Sequence, residues 1–222
     1  ILNNDPSNFA LQYSPSEGFE PLREWIQTEM ARVGVDCAIE NILITSGSQQ
    51  ALDYLGKLFL NAGDTALVGW PAYLGALGAF NAYEPRYDRL DPKSNRAAQD
   101  YNDAADGRVK FAYMSVDFAN PTGVTLDHQD RVNILQLAED LDIAIIEDAA
   151  YFSKTLSPGL RVGWVVAAKP VIAQMVLVKQ ASDLHTPSIN QMVVNHVARA
   201  CFDKHVAKIR AAYMARRDDM LR

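Results

Sequence analysis

The chain of 222 residues is 49% hydrophobic and has a formal net charge of −6 at pH 7. That composition is ample for a large core, and no block of lysine or arginine stands apart from acidic neighbours, which argues against a nucleic-acid or phospholipid surface as the main partner. No apolar run is long enough to span a bilayer, and the two cysteines fit no metal-binding or redox spacing, so a reduced, cytoplasmic setting is expected.

Helical and strand patterns alternate along the chain. An apolar stripe from Leu22 to Val33 predicts the first helix. The segment from Asn41 to Ser46 is predicted as the first strand, and the apolar face from Ala51 to Phe59 predicts a second helix. No element is predicted in the polar stretch from Asp91 to Gly107. Strands that alternate with helices predict an α/β fold in which a mainly parallel sheet is covered on both faces. The other predicted elements are strands Thr65–Gly69, Lys110–Met114, Ala144–Glu147 and Arg161–Ala167, and helices Tyr73–Ala82, Asp127–Leu141, Pro170–Ser182 and from Pro187 onward.

A turn rich in serine and glycine follows the first predicted strand, as the segment SGSQQ from Ser46 to Gln50. Ligands of open α/β sheets bind beyond the carboxyl ends of the strands. Gly47 would let a ligand approach the backbone, and the amides at the helix start, with the Ser48 hydroxyl, would hold an anion. The alternative is an ordinary serine N-cap, which is the better interpretation of this segment taken alone. Neither a dinucleotide fingerprint nor a Walker lysine follows.

Three other strand ends carry candidate ligand contacts. Asn120 begins an N-P-T-G turn that needs no function, although its amide could donate to a ligand oxygen. Asp148 follows a buried strand and therefore needs a cation or a donor, unless it caps the next helix. Tyr73 could place its ring over a flat ligand, or could pack in the core.

The segment FSKTLSPGLRVGW, from Phe152 to Trp164, combines a lysine and an arginine around a Pro-Gly turn. An amine such as that of Lys154 forms an imine with a carbonyl, and a guanidinium such as that of Arg161 binds phosphate oxygens in a forked geometry. The pair suits a ligand with an electrophilic carbon and a phosphate. A surface turn before a strand is the alternative for this segment alone.

Taken together, an anion cradle, a stacking ring, an amide donor, a carboxylate, an imine-forming lysine and a phosphate-binding arginine describe a pyridoxal phosphate site. The chain resembles the fold-type I, class I/II aminotransferases, in the branch of 2-aminoadipate, kynurenine and aromatic aminotransferases and of the aminotransferase-like half of MocR regulators. The resemblance implies a three-layer α/β/α sandwich with a mainly parallel, mixed central sheet. The matching segments are Leu11–Arg23, Ile42–Asp53, Pro71–Leu77, NPTG, IIEDAAY and Phe152–Trp164.

The resemblance also implies a role for each matching residue. Lys154 corresponds to the lysine that binds the cofactor covalently, and Asp148 to the carboxylate that bonds the pyridine nitrogen. Tyr73 corresponds to the residue stacked on the ring. Tyr13 is similar to a tyrosine that reaches the phosphate of a neighbouring subunit, which implies a homodimer with shared active sites. The donors to the 3′ oxygen would be Asn120 and Tyr151, and the phosphate group would be held by Gly47, Ser48, Gln49, Ser153 and Arg161.

The spacing of Asp148 and Lys154 departs from the family pattern. Only six positions separate them, whereas a return to a neighbouring parallel strand needs a crossover of roughly a dozen residues or more. We therefore hypothesise that residues are missing between Tyr151 and Phe152, either as a loop absent from the numbering or as a true deletion. Residues 1–222 are expected to form an incomplete large cofactor-binding domain, without the N-terminal arm and C-terminal small domain of relatives.

The function that this resemblance implies is an aminotransferase that moves an amino group between an L-amino acid and a 2-oxo acid by a ping-pong mechanism. In it Lys154 serves as general base and Asp148 keeps the ring nitrogen protonated. A lyase or decarboxylase that depends on the same cofactor is one alternative. The other is the non-catalytic effector domain of a MocR-type regulator, which would require a winged-helix segment upstream. No metal, nucleic-acid or membrane partner is expected.

Overall fold

The computed structural model describes residues 9–93, 96–105, 107–149 and 152–222. Within these ranges the strands are β1 (Ile42–Thr45), β2 (Thr65–Gly69), β3 (Arg86–Leu90), β4 (Val109–Met114), β5 (Ala144–Glu147) and β6 (Gly163–Val166). The helices are α1 (Glu20–Arg32), α2 (Ser48–Phe59), α3 (Leu74–Phe80), α4 (Ala98–Ala104), α5 (His128–Leu141), α6 (Phe152–Thr155), α7 (Lys169–Ser182) and α8 (Ser188–Met220). None of the helices in the described ranges has the length and apolar character of a membrane span.

The chain divides into two compact units. The first unit combines Ile1–Ala51 with Ala150–Arg222, and the second is Leu52–Ala149. In the first unit β1 pairs antiparallel with β6, with Ile44 opposite Trp164. All four residues of β1 are buried, as expected for the uninterrupted apolar run ILIT. The buried core of this unit draws on both ends of its sequence: Leu22, Trp25, Ile26, Cys37, Ile42, Ile44, Phe152, Val162, Val194, Ala198 and Phe202.

The second unit contains a four-stranded parallel sheet in the order β3-β2-β4-β5. The central strands β2 and β4 are apolar and buried, which is the usual composition of parallel strands covered on both faces. A buried cluster packs against them: Leu67, Leu90, Tyr101, Ala112, Met114, Val116 and Ile134. This sheet confirms the α/β class and the parallel pairing that the sequence predicts.

The two edge strands of this sheet differ in character. Strand β3, RYDRL, carries exposed arginines, and Asp88 in it forms a salt bridge of 2.7 Å with Arg96. Charges of this kind protect a sheet edge from pairing with another strand. Strand β5, AIIE, has one exposed charge, Glu147, and otherwise the apolar composition of an interior strand. A wide, open depression of the surface lies beside β5 and is lined in part by Leu135, Ile143 and Ile145.

Among the described helices and strands, three were not predicted from the sequence, namely β3, α4 and the short helix α6, and one strand is shorter than predicted. Strand β3 has too many charges to show an apolar pattern, and helix α4 lies in the polar stretch where no element was expected. Helix α4 is stabilised at its start by Asp100, whose carboxylate accepts from the Ala97 amide at 2.7 Å. Strand β6 begins at Gly163 and not at Arg161, because Arg161 has a left-handed backbone conformation with φ of 50°.

Candidate active site

The turn between β1 and α2 has the geometry of an anion-binding site. Gly47 has φ of 93°, a conformation that residues with a Cβ rarely adopt, and the Thr45 hydroxyl donates to the Gly47 carbonyl at 3.0 Å. Helix α2 begins at Ser48 and is 12 residues long, and both Ser48 and Gln49 are exposed at its start. The amides of a helix start and the positive end of its dipole attract an anion. We refer to residues 46–48 as the anion-binding turn.

The Arg161 guanidinium lies directly against this turn. A Cβ added to Gly47 would collide with the Nη2 atom of Arg161, so the glycine is what makes room for the guanidinium. Arg161 is exposed, and among the described residues its guanidinium contacts two carbonyls, Nη2 to Ser46 and Nη1 to Pro158, both at the long distance of 3.5 Å. Contacts of that length are weak, so the guanidinium keeps donor capacity for a ligand.

Close packing around Gly163 holds β6 against the same turn. A Cβ at Gly163 would lie 2.8 Å from the Ser48 nitrogen, nearer than real Cβ atoms approach. The first unit therefore brings together Gly47, Ser48 and Arg161 as the sequence predicts. A guanidinium next to exposed helix-start amides has the donor set that a phosphate monoester requires, so these residues fit the phosphate of the expected cofactor.

Lys154 lies on the short helix α6, which is anchored in the core of the first unit. The Phe152 ring is buried, 4.5 Å from the Trp164 ring and 5.7 Å from the Trp25 ring, measured between centroids. Lys154 is exposed and Ser153 is half-buried on the same turn. The anchor fixes the start of the helix while the Lys154 amine faces solvent, where it can react with a carbonyl.

In the second unit, a cavity of about 200 Å³ is lined by the predicted residues Tyr73 and Asn120. Tyr113, at the end of β4, lines it as well, and the Tyr113 hydroxyl donates to the Asp148 carboxylate at 2.7 Å. Burial first, and the Asp148 charge second, raise the pKa of Tyr113 far above its usual value, so the hydroxyl stays protonated and donates. Asp148 thus meets a donor, as its position after a buried strand requires.

Tyr113 was not predicted as a site residue. The signal available in the sequence was an aromatic residue with a hydroxyl in the strand KFAYM, which precedes the NPTG turn. Aromatic residues in buried strands usually pack in the core, and only the tertiary structure shows that this hydroxyl meets Asp148.

Two predicted site residues, Tyr13 and Tyr151, are not among the residues that the described contacts bring together. Tyr13 is 82% exposed, and its ring lies edge-on to the His185 ring at a centroid distance of 6.1 Å. Tyr151 lies outside the described residues, so its role stays a prediction.

A Tyr113→Phe variant tests whether the Tyr113–Asp148 bond serves the site. Loss of a hydrogen bond to a charged group should lower the free energy of unfolding by about 1.5–3 kcal/mol, and the freed carboxylate should bind the cofactor less well. Tyr83→Phe is the matched control, because the Tyr83 hydroxyl donates to Asp53 at 2.8 Å in the same unit. Urea unfolding should show a loss of stability in both variants. Titration with pyridoxal phosphate should show weaker binding only for Tyr113→Phe. An equal loss of binding in the two variants would contradict the assignment of Tyr113 to the site.

Comparison with known proteins agrees with this geometry. The family profile "Aminotransferase class I and II" matches residues 7–153. Aromatic-amino-acid aminotransferase 1 of Thermococcus litoralis is 34% identical, over 96% of this chain and 60% of its own length. The chain belongs to the class I and II aminotransferases. The crystal structure of an alpha-aminoadipate aminotransferase from Thermus thermophilus, complexed with N-(5'-phosphopyridoxyl)-L-leucine, superposes with a TM-score of 0.85 at 34% identity and covers 100% of this chain and 64% of that one.

These comparisons confirm the predicted family, the fold class and pyridoxal phosphate as the cofactor of the family. The chain spans about three fifths of the length of two curated relatives, the Thermococcus litoralis enzyme and the 2-aminoadipate transaminase of Thermus thermophilus. The regulator NorG of Staphylococcus aureus, described as an HTH-type transcriptional regulator, is also related, with 28% identity over 96% of this chain and 55% of its own length.

The alignments also bear on the spacing between Asp148 and Lys154. The alignment with the Thermococcus litoralis relative extends over 257 residues, which is longer than the 222-residue chain. That relative therefore has residues without a counterpart in this aminotransferase-family chain. The match to the family profile ends at Ser153, the second residue after the suspected junction.

Proposed function

We propose that this chain is the cofactor-binding part of an aminotransferase that moves an amino group between an L-amino acid and a 2-oxo acid. The observation that carries the proposal is the Arg161 guanidinium held against the anion-binding turn at the start of α2. A phosphate-binding turn is of use to an aminotransferase because it holds the cofactor in place while the covalent bond to the lysine changes.

The chemistry of the reaction is divided between the cofactor and the residues of the chain. When bound, pyridoxal phosphate supplies a carbonyl that reacts with amines and a ring that accepts electrons. We assign the covalent attachment to Lys154. Once the substrate amine has displaced it, the free Lys154 amine would move the proton from the substrate Cα to the C4′ carbon of the cofactor. Asp148, hydrogen-bonded by Tyr113, would hold a proton on the ring nitrogen.

The remaining predicted residues would bind and orient the cofactor. We assign the ring-stacking contact to Tyr73, which lines the cavity of the second unit together with Asn120. Asn120 and Tyr151 would donate to the 3′ oxygen. Tyr13 would reach the phosphate of a second subunit, and its 82% exposure supports this homodimer contact. The phosphate itself would be held by Gly47, Ser48, Gln49, Ser153 and Arg161.

We propose further that residues 1–222 represent one large cofactor-binding domain that lacks an internal segment between Tyr151 and Phe152. Three observations support the missing segment: the six-position spacing of Asp148 and Lys154, the apolar edge strand β5, and the alignment that is longer than the chain. An apolar strand beside an open depression of the surface is the expected result of removing a neighbouring strand. A cytoplasmic location is part of the same proposal, supported by the free cysteines Cys37 and Cys201.

A regulatory function is the second candidate, because NorG is among the relatives. In that case the chain would bind the cofactor as an effector domain without turnover. The net charge of −6 argues that such a chain would not itself contact nucleic acid.

The test combines cofactor mapping with an assay of turnover. Protein incubated with pyridoxal phosphate is reduced with borohydride, and mass spectrometry locates the modified lysine, which should be Lys154. Amino donors are then screened with 2-oxoglutarate as acceptor. Amino-group transfer supports the enzyme, whereas release of ammonia or pyruvate indicates a lyase. Labelling of Lys154 without turnover, both in this chain and in a chain with the missing segment restored, would favour the regulator and contradict the aminotransferase.

A further inference from the structure

A charged residue, Lys179, lies fully buried on α7 at 0% exposure. It continues the buried stripe of that helix, after Ile172, Met175 and Val176. Its Nζ atom donates to the Gln50 Oε1 atom at 2.9 Å and to the two Asp183 carboxylate oxygens at 2.9 and 3.0 Å. A buried ammonium is costly unless its three donors are satisfied, and here three oxygens receive them.

The hydrogen bonds from Lys179 continue to the anion-binding turn through Gln50 and Asp183. The Gln50 side chain accepts from the Ser46 amide at 2.8 Å and donates to Asp183 at 2.8 Å. The Ser46 hydroxyl donates to Asp183 at 2.9 Å and lies 3.2 Å from the hydroxyl of the buried Thr186. Both the amide and the hydroxyl of Ser46 are therefore held by side chains that are themselves fixed by Lys179.

The position of Ser46 matters because it directly precedes Gly47. Its carbonyl contacts the Arg161 guanidinium, and the peptide that follows it sets the direction of the amides at the start of α2. Burial alone would raise the pKa of Asp183, but the hydrogen bonds from Gln50, Lys179 and Ser46 outweigh burial and lower it. The carboxylate thus stays charged and remains a strong acceptor for Ser46.

We propose that Lys179, Asp183 and Gln50 are positioning residues that hold the anion-binding turn in the conformation that binds a phosphate monoester. The inference rests on the proposed function, because it takes the phosphate of pyridoxal phosphate as the ligand of the turn. These three residues act through Ser46, and the ligand is contacted by the helix-start amides and Arg161. Without these hydrogen bonds, the turn would be less ordered before the ligand binds. Ordering it on binding would cost free energy, and this cost would weaken the binding of the phosphate group in particular.

The test compares two ligands that differ only in the phosphate, pyridoxal phosphate and pyridoxal. The wild-type chain should bind pyridoxal phosphate more tightly. In Asp183→Asn and Lys179→Met, this preference should fall about tenfold, the effect of losing one charge-assisted hydrogen bond, while the affinity for pyridoxal changes little. Ser46→Ala leaves the buried ion pair intact and should reduce the preference for pyridoxal phosphate by a smaller factor. This variant alone tests the proposal if the other two do not fold.

Lys169→Met is the control, because Lys169 lies at the exposed start of the same helix and pairs only loosely with Glu40, at 3.6 Å. It should keep the wild-type preference. Variants that fold and bind both ligands more weakly by the same factor would show a general structural role and overturn the proposal, as would an unchanged preference. A wild-type chain that binds neither ligand would instead refute the proposed function, so the two failures are distinguishable.

Discussion

Lys154→Ala protein should form no covalent link with pyridoxal phosphate and should lose amino-group transfer. The side chain is exposed on α6, so its removal leaves no cavity and should not alter the free energy of unfolding by more than about 0.5 kcal/mol. Loss of a general base alone lowers a rate by about 10²–10⁴-fold, and loss of the covalent attachment adds to this. The measurements are the visible absorbance of the lysine-bound cofactor and the rate of transfer to 2-oxoglutarate.

The matched control for this variant is Lys208→Ala, an exposed lysine on α8 with no assigned role. Its absorbance and activity should equal those of the wild type. Retention of the cofactor absorbance by Lys154→Ala would mean that another amine binds the cofactor, and the assignment of Lys154 would then be wrong.

If a segment is missing as proposed, restoring it should have the largest effect on stability and on cofactor binding. The insert is taken from the Thermococcus litoralis relative, which has residues without a counterpart in this chain, and is placed between Tyr151 and Phe152 as the proposal requires. If it adds a strand next to β5, each new backbone hydrogen bond contributes about 1 kcal/mol and burial of apolar side chains about 25 cal/mol per Å². We expect a rise of several kcal/mol in the free energy of unfolding, measured with urea, and tighter binding of pyridoxal phosphate.

The control for the insertion is a glycine-serine linker of equal length at the same junction. A flexible linker relieves the short connection but offers no strand for β5. If the linker increases stability as much as the relative's segment does, then the short connection alone is the defect, and the proposal of a missing strand is refuted. If neither insert changes stability or binding, no segment is missing at this junction.

The contrast between β3 and β5 shows why sequence patterns predicted one strand and missed the other. Strand β5 is apolar and was predicted, because a continuous run such as AIIE is typical of an interior parallel strand. Strand β3 was not predicted, because the charged residues that suit it to a sheet edge hide the alternation of polar and apolar residues that is typical of a strand. The apolar strand nevertheless lies at an edge of the sheet in the described residues, and the proposed missing segment would supply it with a neighbour.

The proximity of candidate site residues was largely predictable where these residues lie in short turn motifs next to strands. Gly47, Ser48 and Arg161 meet in the first unit, and Tyr73 and Asn120 line one cavity in the second, as the motifs indicated. Each of these residues lies in a turn after a strand or next to one, and turns of this kind have recognisable residue preferences. The roles that we assign to these residues remain predictions until the variants are measured.

Sequence alone was sufficient for the family, through the resemblance of its short motifs, and for the α/β class, which follows from periodicity. The residues expected to contact the cofactor come from the same resemblance and stay predictions. The supporting contacts were decided by tertiary structure. Tyr113 meets Asp148 across 35 positions, and Lys179 meets Gln50 across 129 positions. A buried lysine in an apolar helix stripe or a tyrosine in an apolar strand has no local signature of its partner, since the partner is chosen by packing between distant segments.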